Sequence, residues 1–441
     1  MNIDFILSRM SEFGSDVALV TKGREYTYND LIKSYENSLE FLEKHKVLEN
    51  SIVALKGEFS PETIGMMLAI IEKNCTYVPI ANSIKNIDKY FEIAEVEYFI
   101  EGKDIVKFHR KKSENEILKK LYIEKKPGFI LFSSGTTGDP KAAVHNLIPL
   151  LDKYKVRGKK LRSVAFLLFD HIGGFNTVMY NIANGGMLVT LEKRNPEEVA
   201  KLIEKYKIEV LPTSPSFINM LLFSRIYEKY DISSLKIISY GTEPMPKSTL
   251  ESFNKMFPKI KLKQTYGLSE VGIMRTKSES SDSLWLKVGG DDEHQIKIID
   301  DILWIKSKMS MLGYLNAPSP FDNEGWMNTK DKVLQKGEYI KILGRESELI
   351  NVGGEKVYPA EVESVILEVV GVRDAIVKKE ENPVLGNVVI CEVAINEGVL
   401  PKEIKKEIKS HCKEKLEKYK RPIKIKISEN TFDTDRFKRK R

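Results

Sequence analysis

The chain has 441 residues, 42% of them hydrophobic and 30% charged, with a formal net charge of +7. That length exceeds what one hydrophobic core comfortably fills, so a large domain with a smaller companion is expected, and the composition fits a soluble globular protein. The longest apolar runs, Ile64 to Ile71 and Val164 to Phe169, are too short to span a bilayer, and the opening Met1-Asn2-Ile3-Asp4-Phe5 lacks the basic-then-apolar layout of a signal peptide, so a cytoplasmic protein without membrane insertion is expected.

Cys75, Cys391 and Cys412 are too widely spaced for a disulfide framework, a zinc site or a redox pair, and read as packing residues. The positive charge suits anionic nucleotides and carboxylates, although lysine-rich solvated faces produce the same balance. The tail from Arg436 to Arg441 is basic, but no nucleic-acid module accompanies it, so no nucleic-acid partner is expected.

In chain order, Leu31, Tyr35, Leu39 and Leu42 recur at helical spacing after a cap at Asn29 or Asp30. Ser51 to Lys56 reads as a strand, and Ser60-Pro61-Glu62 opens a helix. Strands at Tyr77 to Ile80, Tyr98 to Ile100 and Gly128 to Phe132, with a helix near Asn86 to Glu95, continue an alternation that predicts sheets covered by helices. The segment Ser133-Ser134-Gly135-Thr136-Thr137-Gly138-Asp139-Pro140-Lys141 then reads as a phosphate cradle. Its glycines let backbone N–H groups converge on an anion, its hydroxyls add neutral donors, and Lys141 supplies a mobile positive charge. The spacing is not that of a Walker loop.

Ser163 to Phe169 reads as a buried strand that delivers Asp170-His171-Ile172-Gly173-Gly174-Phe175 to its C-terminal end, where open α/β sheets place ligands. Further strands are predicted at Met187 to Leu191, Val210-Leu211 and Ile237 to Tyr240, with helices at Pro196 to Tyr206 and Ser216 to Phe223. The loops Pro212 to Pro215 and Gly241-Thr242-Glu243-Pro244 follow strand ends and could share one cleft. From Leu284 to Leu315 the pattern changes to two-residue alternation, which predicts a small antiparallel β subdomain, 284–343. A boundary is expected near Gly344-Arg345, dividing the chain into 1–344 and a smaller α+β unit, 345–441, with a helix opened by Pro359, strands at Ala375 to Lys378 and Val388 to Val393, a helix from Pro401 to Tyr419 and a strand at Ile423 to Ile427.

The cradle resembles the phosphate loop of the adenylate-forming enzymes: acyl-CoA synthetases, aryl-CoA ligases, luciferases and the adenylation domains of peptide synthetases. Tyr266-Gly267-Leu268-Ser269-Glu270, preceded by Thr265, is similar to that family's second signature. The resemblance implies that Tyr266 stacks on adenine, Ser269 bonds the nucleotide phosphate and Glu270 ligates Mg²⁺. Gly241, Thr242 and Glu243 join the ATP site on the same ground. A carboxylate beside a phosphate loop needs a hard cation to bridge the repulsion, which agrees with the metal role.

Asn328-Thr329-Lys330-Asp331 resembles the Thr-Gly-Asp segment whose aspartate binds the ribose hydroxyls, with Lys330 replacing glycine. Arg345 matches the arginine that pairs with ribose and phosphate, although Asp331 and Arg345 also suit an ordinary surface pair. Gly353-Gly354 resembles the portion that approaches the pantetheine thiol when the small domain rotates, and equally suits a turn before a proline-started helix. Ser347 stands at the expected hinge, where relatives carry Asp or Lys. Lys438, in Thr434-Asp435-Arg436-Phe437-Lys438, resembles the C-terminal lysine that reaches over the site during adenylation, and Phe437 replaces the usual glycine. His171 and Phe175 would border the acyl pocket, with a purely structural role open for the histidine. Taken together, the resemblance implies activation of a small carboxylic acid by ATP and Mg²⁺, with Lys438, Thr136, Glu270 and His171 in catalytic positions. Transfer to coenzyme A or to the phosphopantetheine of an acyl carrier protein follows. A nucleotide-binding protein without turnover is the alternative of another class.

Overall fold

The computed structural model describes residues 2–84, 86–108, 113–134, 140–290, 293–428 and 432. The chain forms two compact units. One comprises residues 1–212, 267–274 and 306–327, and the other residues 213–266, 275–305 and 328–441.

The first unit is α/β. One of its sheets runs, edge to edge, Gly313–Tyr314, Pro140–Asn146, Gly128–Ser134, Thr76–Ile80, Ile52–Lys56, Tyr98–Glu101 and Asp104–Lys107. Its middle strands are parallel, and Thr76–Ile80 is buried along its whole length, as a strand covered on both faces must be. A further set of strands orders Val210–Thr213, Arg162–Val164, Met187–Val189, Val17–Thr21 and Arg24–Thr27. The helix Pro61–Glu72 starts as expected, with Ser60 accepting from the Thr63 N–H and proline in the first turn. The helix expected to begin at Asn29 or Asp30 instead spans Tyr28–Lys44. Thr27 is its cap, and Asp30 returns a bond to the Thr27 N–H in a reciprocal capping box.

Three expectations in this unit need correction. Ser133 and Ser134 belong to the strand Gly128–Ser134, not to a loop, because Pro140–Asn146 pairs back along it. The run expected as one strand from Ser163 to Phe169 ladders only over Arg162–Val164, and Phe166 and Phe169 bury in the core without strand pairing. A short apolar run cannot by itself distinguish these outcomes. The residues Ile172 to Phe175, read as loop, open the helix Ile172–Asn184, which two adjacent glycines disguise in the sequence.

In the second unit, Ile237–Tyr240 and Lys261–Gln264 pair in parallel. A six-stranded sheet orders Thr276–Ser278, Leu286–Val288, Tyr339–Arg345, Met327–Lys336, Ile302–Ser307 and His294–Ile299. The expected β subdomain therefore exists but starts earlier, and the alternation read through to Leu315 overran it. Gly313–Tyr314 pairs with Pro140–Asn146 instead. The C-terminal α+β part sets the helices Pro359–Ile366 and Pro401–Lys415 on a sheet of Glu355–Val357, Ile350–Val352, Gly386–Ile395, Val372–Asn382 and Lys424–Ser428. The last helix, expected to reach Tyr419, ends at Lys415 because Leu416 turns to extended backbone.

Ile404, Ile408, Cys412 and Leu416 form its buried stripe, as the spacing predicts. All three cysteines are buried and none is joined in a disulfide. Burial pushes the Cys391 thiol up to about 12 and that of Cys412 to about 11, so both are inert packing groups. Among the described residues, no helix is long and apolar enough to cross a membrane.

Candidate active site

The strands flanking the cradle form an antiparallel hairpin in which Ser133 faces Lys141 and Ser134 faces Pro140. Gly135, Thr136, Thr137 and Gly138 lie outside the described residues, as does Lys438. What the structure does place is the ground around Lys141. Its Nζ stands 5.7 Å from the ring centroid of Tyr314, and the Tyr314 hydroxyl donates to the Glu270 carboxylate.

Glu270 sits with Ser269 in the connection between the short strands Gly267–Leu268 and Gly272–Ile273. That turn is tied down on two sides. The Met311 N–H donates to the Glu270 carbonyl at 2.7 Å. His145, fully buried on the strand Pro140–Asn146, donates from Nε2 to the Ser269 carbonyl at 2.6 Å. A carbonyl can only accept, so the Nε2 proton is fixed. Burial holds the His145 imidazole below its ordinary pKa and keeps it neutral.

Tyr314 and His145 are absent from the sequence-level assignment. The available signal was a lone histidine ending the apolar stretch Ala142-Ala143-Val144, and a tyrosine after Gly313. Neither identifies its partner.

His171 caps the helix Ile172–Asn184, its Nδ1 accepting from the Gly173 N–H at 3.0 Å. That bond supplies the structural role left open above and leaves Nε2 to carry the proton of the neutral ring. Phe175, expected beside it, is 3% exposed and packs its ring 4.7 Å from that of Phe129. It is a core residue.

In the second unit, Gly241 and Thr265 follow the ends of the paired parallel strands Ile237–Tyr240 and Lys261–Gln264. They lie so close that a Cβ on Gly241 would stand 2.7 Å from Thr265 Oγ1. Thr242 adopts a left-handed φ of 73°, and Glu243 accepts from the Ser216 N–H at 2.8 Å and its hydroxyl at 2.5 Å. The loop 241–244 is thereby tied to the first turn of the helix Pro215–Ser224.

The adjoining Tyr266 is 6% exposed and donates its hydroxyl to Asp331 at 2.5 Å. Burial and the Asp331 charge push that phenol far above its ordinary pKa, so it remains a donor. Asp331 is paired in register with Arg345, whose Nε lies 3.5 Å from the carboxylate, and the arginine side chain is 53% exposed, free to meet a ligand. Lys330, the departure from the family's glycine, has φ of 62°. The backbone makes the left-handed turn that glycine ordinarily supplies, helped by an Asn328 side chain accepting from the Lys330 N–H at 2.8 Å.

Gly353 and Gly354, with φ of 59° and 94°, form an exposed tight turn between Ile350–Val352 and Glu355–Val357. Ser347 lies exposed in the short helical turn Glu346–Glu348.

Comparison with known proteins places these features. The model of the AMP-binding enzyme family matches residues 8–315, and that of the AMP-binding enzyme C-terminal domain matches 361–437. The chain is 30% identical over 277 residues to a 4-coumarate–CoA ligase-like protein of Arabidopsis thaliana, covering 56% of this chain and 49% of that one. It is 29% identical over 325 residues to acyl-CoA synthetase 7 of Caenorhabditis elegans, covering 66% and 60%. The chain spans about half to three fifths of the length of the curated relatives it matches.

Among solved structures, it is similar in fold to the anthranilate CoA ligase AuaEII in complex with anthranoyl-AMP, with TM-score 0.83, 18% identity and coverage of 99% and 95%. It is likewise similar to the amide bond synthetase McbA of Marinactinospora thermotolerans, with TM-score 0.79, 18% identity and coverage of 98% and 97%. With its motifs in the family's order and the first model alone spanning most of its length, the chain belongs to the AMP-binding enzyme family.

Proposed function

We propose that this protein activates a small carboxylic acid with ATP to an acyl-adenylate and passes the acyl group to a thiol, coenzyme A, with a carrier-protein phosphopantetheine as the alternative acceptor. The observation that carries this reading is the contact chain from Lys141 through Tyr314 to Glu270, beside the paired strands Gly128–Ser134 and Pro140–Asn146, in a chain of the AMP-binding family.

A carboxylate is a poor electrophile because its charge is delocalised and its oxygen is a poor leaving group. Joining it to AMP corrects both. The carboxylate oxygen attacks the α-phosphorus, the bond to the β-phosphate oxygen breaks, and pyrophosphate departs with its electron pair. Lys141 and the cradle donors accept the developing phosphate charge, and Lys438 would bridge the carboxylate and α-phosphate. Tyr266, Asp331 and Arg345 would hold adenine and ribose, with Gly241, Thr242 and Glu243 at the same nucleotide.

Glu270 fits a magnesium anchor. It is one carboxylate, and among the described residues no cluster of three acidic, histidine or cysteine side chains offers a complete cage. Magnesium is ordinarily held through one or two carboxylates, with phosphate oxygens and water completing its shell. When bound, the ion supplies charge neutralisation on the phosphates.

The C-terminal part, 345–441, would then turn about Arg345 to Ser347 and bring Gly353-Gly354 toward the thiol. The deciding experiment is ATP–pyrophosphate exchange across a carboxylic-acid library, followed by thioester formation with coenzyme A or carrier protein. Nucleotide binding without exchange for any acid would establish the non-catalytic alternative. Thioester on the carrier alone would replace coenzyme A.

A further inference from the structure

Lys153, just beyond the helix Leu147–Asp152, takes no part in the chemistry above. Its Nζ donates to Asn176 Oδ1 at 2.7 Å, and the Tyr154 hydroxyl donates to the same oxygen at 2.9 Å. The Tyr154 ring centroid lies 5.0 Å from the ammonium. Both partners are uncharged. Burial holds the lysine down at about 8, and among the described residues no carboxylate acts on it to oppose that shift. A desolvated ammonium without a counter-charge is costly, and an anion brought beside it would relieve that cost.

The surroundings indicate what that is. Asn176 lies on the helix that His171 caps, five residues further on, a rise of about 7.5 Å along the axis. The same helix packs on Gly272–Ile273, which follows Glu270 in the chain. Leu150, three residues before Lys153, places Cδ2 3.2 Å from where a Cβ on Gly272 would stand. The ammonium therefore rests on the helix that His171 caps, and the helix just before Lys153 reaches Gly272, two residues after Glu270, through Leu150. With Asn176 Oδ1 occupied by two donors, its Nδ2 is left as a second donor beside the ammonium. One ammonium and one amide N–H₂ suit a singly charged planar carboxylate better than a phosphate dianion.

We propose that Lys153 and Asn176 receive a second carboxylate of the acid substrate, so that the protein activates a dicarboxylic acid at one end while holding the other. This deepens the adenylation reading and rests on it. A monocarboxylic acid of the same length would leave the lysine unpaired.

The test uses the full chain and matched probes: the straight diacids from succinic to suberic acid, and isophthalic acid, each against its monomethyl ester. Exchange is measured for wild type, Lys153→Met, Lys153→Gln and Lys153→Arg, alongside thermal shift with each probe alone. At one chain length the wild type is expected to favour the diacid over its ester by about ten-fold in kcat/KM, the worth of a charge-assisted bond. In the Met and Gln variants that preference disappears through KM, with kcat for the ester kept, and Arg retains part of it.

A wild type that favours the esters, or a diacid preference that survives both neutral variants, overturns the proposal. If no probe supports exchange, Lys153 is judged by thermal shift alone, and the adenylation reading is judged separately by exchange across the wider carboxylic-acid library. Diacid-specific stabilisation of the wild type that the neutral variants lose upholds the site, and its absence removes it.

Discussion

The Tyr266 hydroxyl donates to Asp331 across 2.5 Å, and the same carboxylate faces Arg345 Nε at 3.5 Å, so one buried acid joins an aromatic ring to an exposed guanidinium. If this carboxylate takes the ribose hydroxyls, Asp331→Asn exchanges an ionised acceptor for a neutral amide. The expected result is ATP binding weakened about 10- to 100-fold, the range for hydrogen bonds to charged groups. Tyr266→Phe removes only the supporting donor and should cost less than about ten-fold. Calorimetric titration with ATP separates the two, and equal losses would mean that the Tyr266–Asp331 hydrogen bond, not the carboxylate charge, carries the effect.

Tyr314 holds the Glu270 carboxylate while its ring lies near Lys141. In Tyr314→Phe the carboxylate loses its donor, and half-saturating magnesium is expected to rise about three- to ten-fold, close to 1 kcal/mol. Glu270→Gln should weaken magnesium-dependent turnover far more. A magnesium titration identical to wild type in both variants would remove Glu270 from the metal site.

Gly174 admits no side chain. A Cβ there would stand 1.9 Å from the Leu168 carbonyl oxygen, a backbone atom that cannot step aside. Gly174→Ala is expected to destabilise the fold by about 1–3 kcal/mol, and Gly173→Ala by less, because its nearest obstacle is the movable tip of Leu167 at 2.4 Å. Urea denaturation of both variants reads the difference, and equal stabilities would mean that the helix start yields.

Lys438→Ala should reduce adenylation about 10² to 10³ fold, the usual cost of one transition-state donor, and leave thioester formation from preformed acyl-adenylate intact. Equal loss in both half-reactions would assign the lysine elsewhere.

The depressed lysine makes a prediction about pH. Below about 8, Lys153 is charged in both the folded and unfolded chain and its burial penalty is fully present. Between about 8 and the ordinary 10.5 the folded protein has released a proton that the unfolded chain still binds, so the penalty fades as pH rises. Without ligand, Lys153→Met should therefore melt above wild type at pH 7, and the gap should close toward pH 10.5. A gap independent of pH would trace to packing rather than charge.

Much of this protein follows from local chemistry. The Tyr266 to Glu270 signature, the alternation of strands and helices, and the proline-started helices at Pro61, Pro196 and Pro359 all depend on residues within one or two turns of each other, so they are legible in the order of the amino acids. The partner of Glu270 is not, because Tyr314 reaches it only when Gly313–Tyr314 pairs with Pro140–Asn146, a register set across more than 160 residues of chain. The same holds for His145 beneath Ser269 and for Lys153 beside Asn176, since an isolated histidine or lysine carries no mark of what it will face. Local sequence decides which backbone turns and which face of a helix is apolar. Only burial and long-range strand pairing decide which charge is left without a partner.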